Sequence, residues 1–182
     1  MKSFGPMLMA LLAAAMLAIF ATTPPEATPS DAPLRSFSAM RAMADVGTMA
    51  KRPHVTGSAE NAVVRDHILR RMEALGMEVS TSTGLIDAKG TKRRNHWSGR
   101  NDPPATLVNL IGILPGKNRN APSVVLMSHH DTVWGSPGAA DDASGVAASL
   151  EVVRAIRARG QQERDLVMLV TDGEELGLQG AR

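Results

Sequence analysis

The chain has 182 residues, 20 Lys and Arg against 18 Asp and Glu, a formal net charge of +2 and no cysteine. That length holds one domain with a real core, or the front of a larger one. The missing cysteines exclude a disulfide framework and a thiolate-ligated metal, and the small, scattered excess of basic residues argues against a nucleic-acid partner.

In chain order, Lys2 precedes an apolar run over residues 7–21, and a Pro- and Thr-rich stretch over 22–30 follows. A charged start, a short apolar segment and a proline-rich exit read as a secretory signal at residues 1–21. The run is shorter than the ~20 residues that cross a bilayer comfortably, so cleavage and retention as an anchor both stay open. Either way the protein is expected to be extracytoplasmic: periplasmic, secreted, or anchored and facing out. Residues 7–21 would then carry any membrane association. Residues 22–36 are a linker by composition.

From Phe37 the pattern turns helical, with Phe37, Met40 and Ala44 as the expected apolar stripe and Pro53 as the stop. Ser58 is placed to cap a second helix whose stripe is Val64, Ile68, Met72 and Leu75, ended by Gly76. Residues 77–83 alternate like a strand. Residues 84–104 are polar and expected as loop, which makes Lys92-Arg93-Arg94 a solvated basic run. Residues 107–114, 124–127 and 166–170 are apolar runs of strand length, and residues 143–159 a helix with Val146, Leu150 and Val153 on one face. Strand, helix, strand with continuously apolar strands predicts an α/β fold whose sheet is covered on both faces, and ligands in such sheets sit at the carboxyl ends of strands.

Three polar clusters fall at or just past such ends: His129-His130-Asp131, Gly138-Ala139-Ala140-Asp141-Asp142 and Asp172-Gly173-Glu174-Glu175. If strand geometry persists, His129 and Asp131 share a face, giving an imidazole ligand and a carboxylate able to orient it. His130 then points away, toward local polar partners. Asp142 is placed to cap the following helix, while Asp141 could bridge two metal ions. In a loop, Glu174 and Glu175 could both reach one cavity, one binding metal and the other taking a proton from metal-bound water. Each cluster alone has a plain structural reading as a polar contact, a cap or a solvated turn. Imidazole and carboxylate offered together from several strand ends are what a Zn²⁺ site needs.

The words Ser128-His129-His130-Asp131-Thr132, Gly138-Ala139-Ala140-Asp141-Asp142-Ala143-Ser144-Gly145 and Thr171-Asp172-Gly173-Glu174-Glu175-Leu176-Gly177-Leu178-Gln179-Gly180 resemble the zinc-dependent exopeptidases. That family includes aminopeptidase Y, bacterial leucine aminopeptidases, glutamate carboxypeptidase II and the endoplasmic reticulum or vacuolar membrane metallopeptidases. Pro53-His54-Val55-Thr56-Gly57-Ser58 and Asn109-Leu110-Ile111-Gly112-Ile113-Leu114-Pro115-Gly116 are similar to it as well, especially to its membrane-associated branch. The gap between His129 and Asp141 suits this family better than the desuccinylase-like deacylases, whose gap is longer. Trp134 stands where proline or a small residue is more usual.

The resemblance implies a three-layer α/β/α zinc-exopeptidase (phosphorylase/hydrolase-like) fold with a mixed central sheet. Residues 37–182 would be the N-terminal portion of the catalytic domain, its C-terminal part missing. It further implies two zinc ions per complete site. His129 would ligate one, Glu175 the other, Asp141 would bridge both, Glu174 would be the general base and Asp131 a buttress. Peptide or protein N-termini would be the substrate. The family carries two more ligands downstream, an aspartate and a histidine, so residues 1–182 alone are expected to hold zinc poorly and hydrolyse nothing. Two rival readings remain: a glutaminyl cyclase-like acyltransferase on the same scaffold, and a non-catalytic peptidase-like binding domain.

Overall fold

The computed structural model describes residues 4–182, so Lys2 of the expected signal lies outside the described residues. Helix α1, Gly5–Thr22, is apolar throughout, with mean hydropathy 2.0, none of it is buried against the rest of the chain, and it is long and apolar enough to cross a membrane. The remaining elements are α2 (Ala39–Met49), α3 (Ala59–Ala74), β1 (Glu78–Leu85), α4 (Ala88–Ser98), β2 (Thr106–Leu114), β3 (Val124–His129), α5 (Ser144–Arg157) and β4 (Leu166–Thr171).

The strands form one mixed sheet in the order β1-β2-β4-β3. β1 pairs antiparallel with β2, β2 antiparallel with β4, and β3 parallel with β4. The chain is therefore α/β, as the apolar strand runs predict. α2, α3 and α5 cover one face, where Val46, Ile68, Met72, Leu150 and Val153 meet Leu110, Met168 and Val170. Alternation along β2 turns Leu107 to the opposite face, where it packs with Ile86, Ala105 and Leu176 beneath Trp97 of α4.

Ser58 caps α3 by accepting from Asn61 N, the stripe Val64, Ile68, Met72 and Leu75 is buried, and Gly76 leaves the helix at φ +74°, all as expected. Two expectations fail. Residues 84–104 are not all loop: Asp87 accepts from Gly90 N and starts α4, which ends at Gly99 in the left-handed region. This helix has no apolar stripe to announce it, and Lys92-Arg93-Arg94 lies within it. The stripe of α2 is also displaced. Ala42, Val46 and Met49 face the core, whereas Phe37, Met40 and Ala44 face outward.

Residues 28–36 are held to the domain rather than free. Ser38 Oγ donates to the Thr28 and Pro29 carbonyls at 3.1 and 2.7 Å. Arg41 donates to the carbonyls of Ser30, Ala32 and Ser36, and Arg154 to those of Leu34 and Ser36. Both guanidiniums rest on the buried carboxylate of Glu151, at 3.0 and 2.6 Å. Composition alone could not show this, because the contacts are made by backbone carbonyls that every residue has.

Candidate metal and catalytic site

Because β3 and β4 are parallel, their carboxyl ends lie side by side, His129 opposite Thr171. Antiparallel β2 brings its first residues to the same end of the sheet. The first and third polar clusters therefore leave the sheet together, and the second reaches them from the turn before α5.

Asp131 is the hub. It is 1 % exposed; its Oδ1 accepts from Glu174 N at 2.9 Å and its Oδ2 from Glu175 N at 3.2 Å. The same Oδ1 lies 3.5 Å from His129 Nδ1, which also meets the Asp131 carbonyl at 3.1 Å. One residue thus fixes both the turn carrying the two glutamates, through its carboxylate, and the tilt of the His129 ring, through its carbonyl with the carboxylate alongside.

With Nδ1–H turned to Asp131, Nε2 is the outward face of that ring. It sits 3.0 Å from Asp141 Oδ1 and 4.0 Å from Glu174 Oε2. Asp141 is held there by an irregular turn over Ala139–Ala143 that begins at Gly138, φ +66°, and contains a cis Asp141–Asp142 peptide. Asp142 does what a cap should: Oδ1 accepts from Gly145 N at 3.1 Å. Its Oδ2 accepts from His129 N at 3.2 Å, tying the cap to the end of β3. A side chain at Gly145 would collide with the Asp142 carboxylate, which is why the turn closes on glycine.

His130 points away from His129, as alternation requires. Asn61 Nδ2 donates to its Nδ1 at 3.2 Å and its Nε2–H donates to the Val108 carbonyl at 2.9 Å, so both nitrogens are satisfied by neutral partners. Asp172 had no expected role and proves to be a second buried hub. It accepts from Thr56 Oγ1 at 2.9 Å, Val108 N at 3.1 Å and Gly173 N at 2.9 Å. Asn109 brackets it, accepting from Asp172 N and donating to the Gly180 carbonyl. His54 N donates to Thr132 Oγ1, which draws residues 53–58 onto the same end of the sheet.

The electrostatics are those of a site short of positive charge. Burial and then the repulsion of Asp141 and Asp131 push the Glu175 carboxyl above its ordinary value. Burial likewise raises Asp172. For His129 burial opposes the charged form, yet Asp131, Asp141 and Asp142 outweigh it and push the imidazole up to about 9. Nitrogen and carboxylate donors are those zinc takes, and a ligating histidine commonly gives its other N–H to a carbonyl or carboxylate, as His129 does to the Asp131 carbonyl beside its carboxylate. His129 and Asp141 form a pair of donors rather than a shell. Among the described residues no three His, Asp or Glu side chains converge closely enough to hold an ion.

The model of peptidase family M28 matches residues 109–182, which hold all three polar clusters. Residues 109–182 belong to peptidase family M28. A vacuolar membrane protease of Lodderomyces elongisporus is 33 % identical over 141 residues, covering 75 % of this chain and 15 % of that protein. The chain spans about a sixth of the length of the curated relatives it matches, 15 % and 17 % for the first two. An aminopeptidase from Aneurinibacillus sp. strain AM-1 superposes with TM-score 0.67 at 16 % identity, over 80 % of this chain and 65 % of that one. A Bacteroides thetaiotaomicron glutaminyl cyclase superposes with TM-score 0.61 at 23 % identity, over 77 % and 48 %. These structures share the α/β fold of M28 aminopeptidases, with its mixed sheet and flanking helices.

Proposed function

We propose that the protein is an exported zinc-dependent peptidase, an aminopeptidase acting on peptide or protein N-termini, of which residues 37–182 supply the front of the catalytic domain. One observation carries this reading: the Asp131 carboxylate that orients His129 also holds the backbone N–H groups of Glu174 and Glu175. Ligand and candidate base are thereby fixed by one buried group. His129 and Asp141 would hold one zinc ion, and Asp141 with Glu175 the other. Bound zinc would polarise the scissile carbonyl and acidify water.

The residues' own tasks follow from their environments. His129 must give up the Nε2 proton before that nitrogen can act as a donor. Glu174, on the turn fixed by Asp131, would accept a proton from the attacking water and return it to the leaving amine. Asp131 keeps the imidazole in the tautomer that presents Nε2 outward. Residues 1–21 would be a signal or an anchor, residues 22–36 the connection to the catalytic portion.

In the protein carrying the rest of the catalytic domain, Glu174→Gln should keep its zinc and lose about 10²–10⁴-fold in kcat, as removal of a general base does. Metal analysis beside the peptidase assay checks this, and loss of metal with turnover kept would contradict the assignment. A single bound ion with cyclisation of N-terminal glutamine would instead support the cyclase reading. Zinc binding without either reaction would support a binding domain.

A further inference from the structure

The stripe Phe37, Met40 and Ala44, expected in the core, lies on the surface. Leu34, Phe37, Met40 and Met43 are 69, 39, 51 and 55 % exposed. The outward side of α2 is completed by Ala44, Gly47 and Thr48 and bears no free charge. Asp45, the acid of α2, is buried against Arg71 and His67, and Arg41 is engaged by Glu151. A helix exposed to water ordinarily carries its charges on that side, so α2 has two apolar faces and only one of them is covered within this chain.

What lies near the second face is set by a short leash. The Thr28 carbonyl accepts from Met40 N at 3.1 Å, so the strap is fastened at the first turn of the exposed face itself. Between Thr28 and the end of α1 at Thr22 there are only Thr23, Pro24, Pro25, Glu26 and Ala27. Even fully extended, that stretch reaches roughly 20 Å. The arginine contacts to residues 30–36 prevent the strap from paying out more chain. If α1 stays in a bilayer, the apolar face of α2 cannot move far from the surface where α1 emerges.

Resting on the reading of α1 as a retained anchor, we propose that Leu34, Phe37, Met40 and Met43 form a docking surface for that same bilayer. The face enters the interfacial region and fixes the orientation of the catalytic portion above the membrane. Thioether and phenyl side chains suit partial burial among headgroups and upper acyl chains, and the exposed Arg35 between Leu34 and Phe37 can keep its guanidinium at the headgroup level while its stem packs with them. Glu26 and Asp31 in the leash and strap outweigh the single Arg35, so the attraction proposed is apolar rather than one to anionic lipid.

The chain has no cysteine, so a single label site can be introduced. Full chain carrying Met43→Cys, with an environment-sensitive fluorophore on the new thiol, would be reconstituted into phosphatidylcholine vesicles. Ser82→Cys on β1, also exposed, is the comparison. Docking predicts a blue-shifted Met43→Cys label, quenched by spin-labelled lipid and severalfold less accessible to aqueous iodide than the Ser82→Cys label. Adding Met40→Glu should restore iodide access while the protein still floats with the vesicles. Failure to float at all would overturn the anchor reading and the docking with it. Flotation with a Met43→Cys label open to iodide would overturn the docking alone. A label shielded from both iodide and lipid would mean that protein, not membrane, covers this face, and would also overturn it.

Discussion

Asp131 shows how much of a site can hang on one buried carboxylate. Its oxygens accept from two backbone N–H groups and its Oδ1 faces the His129 ring. In Asp131→Asn an amide nitrogen replaces one acceptor and meets an N–H, at a cost of about 1–3 kcal/mol of stability. The imidazole should also titrate below its present value of about 9. Chemical denaturation and histidine NMR check the two effects. The sign for His129 is that of a raised base. In the metal-free chain its stabilisation is complete below the ordinary value of 6.5 and is lost as pH rises through about 9. Because a donor nitrogen must first lose that proton, zinc affinity should climb about tenfold per pH unit below the titration. Competition titrations with a zinc chelator at several pH values measure it, and His129→Ala should flatten the dependence. His129, Asp141, Glu174 and Glu175, the proposed site residues, could be singled out because their polar words stand out against the apolar strand runs. Asp172 was not, since its partners Thr56 and Val108 are more than sixty residues away and nothing local reports them.

At the scale of elements, the buried Glu151 links α5 to α2 and to the strap. Burial acts to raise its carboxyl, but hydrogen bonds from Arg154, Ser38 N and Arg41 win and hold it below the ordinary value. A depressed acid contributes stability that is complete above the ordinary 4.5 and is lost as pH falls through the lowered value. Acid should therefore loosen residues 28–36 before the sheet opens. Glu151→Ala should do the same at neutral pH, costing about 3 kcal/mol by leaving two arginines without their anion. Limited proteolysis within 28–36 distinguishes strap release from global unfolding. In the core, Ile68→Ala removes a side chain with 0 % exposure and should cost about 2–5 kcal/mol in urea denaturation. α3 was readable because capping serine, apolar stripe and terminal glycine agree. In α2 two apolar stripes of the same period compete, and periodicity cannot say which one meets the sheet. α4 has a cap and a stop but a polar body, so only its packing through Trp97 marks it as an element of the fold.

For the whole molecule, the sheet over the described residues is open on both sides, with β1 and β3 as its outer strands. β3 is the apolar one, and its Val124, Val125 and Met127 are exposed. An apolar, unpaired strand is a template for another chain. Residues 23–182 should accordingly associate as concentration rises, and Val125→Lys should suppress this without loss of secondary structure. Sedimentation velocity with circular dichroism checks both halves of that prediction.

Sequence by itself determined the α/β class, the strands and the polar words proposed to carry the chemistry. Apolar runs, caps and metal-ligand words are local patterns, readable from neighbours in the chain. Tertiary structure alone decided that the three words meet at one end of a mixed sheet, Asp131 holding Glu174 and Glu175 while His129 meets Asp141 and Asp142. It also turned one face of α2 outward and pinned residues 28–36. Those outcomes depend on which distant carboxylate a backbone N–H or a guanidinium finds. Long-range partners of that kind leave no periodicity to read.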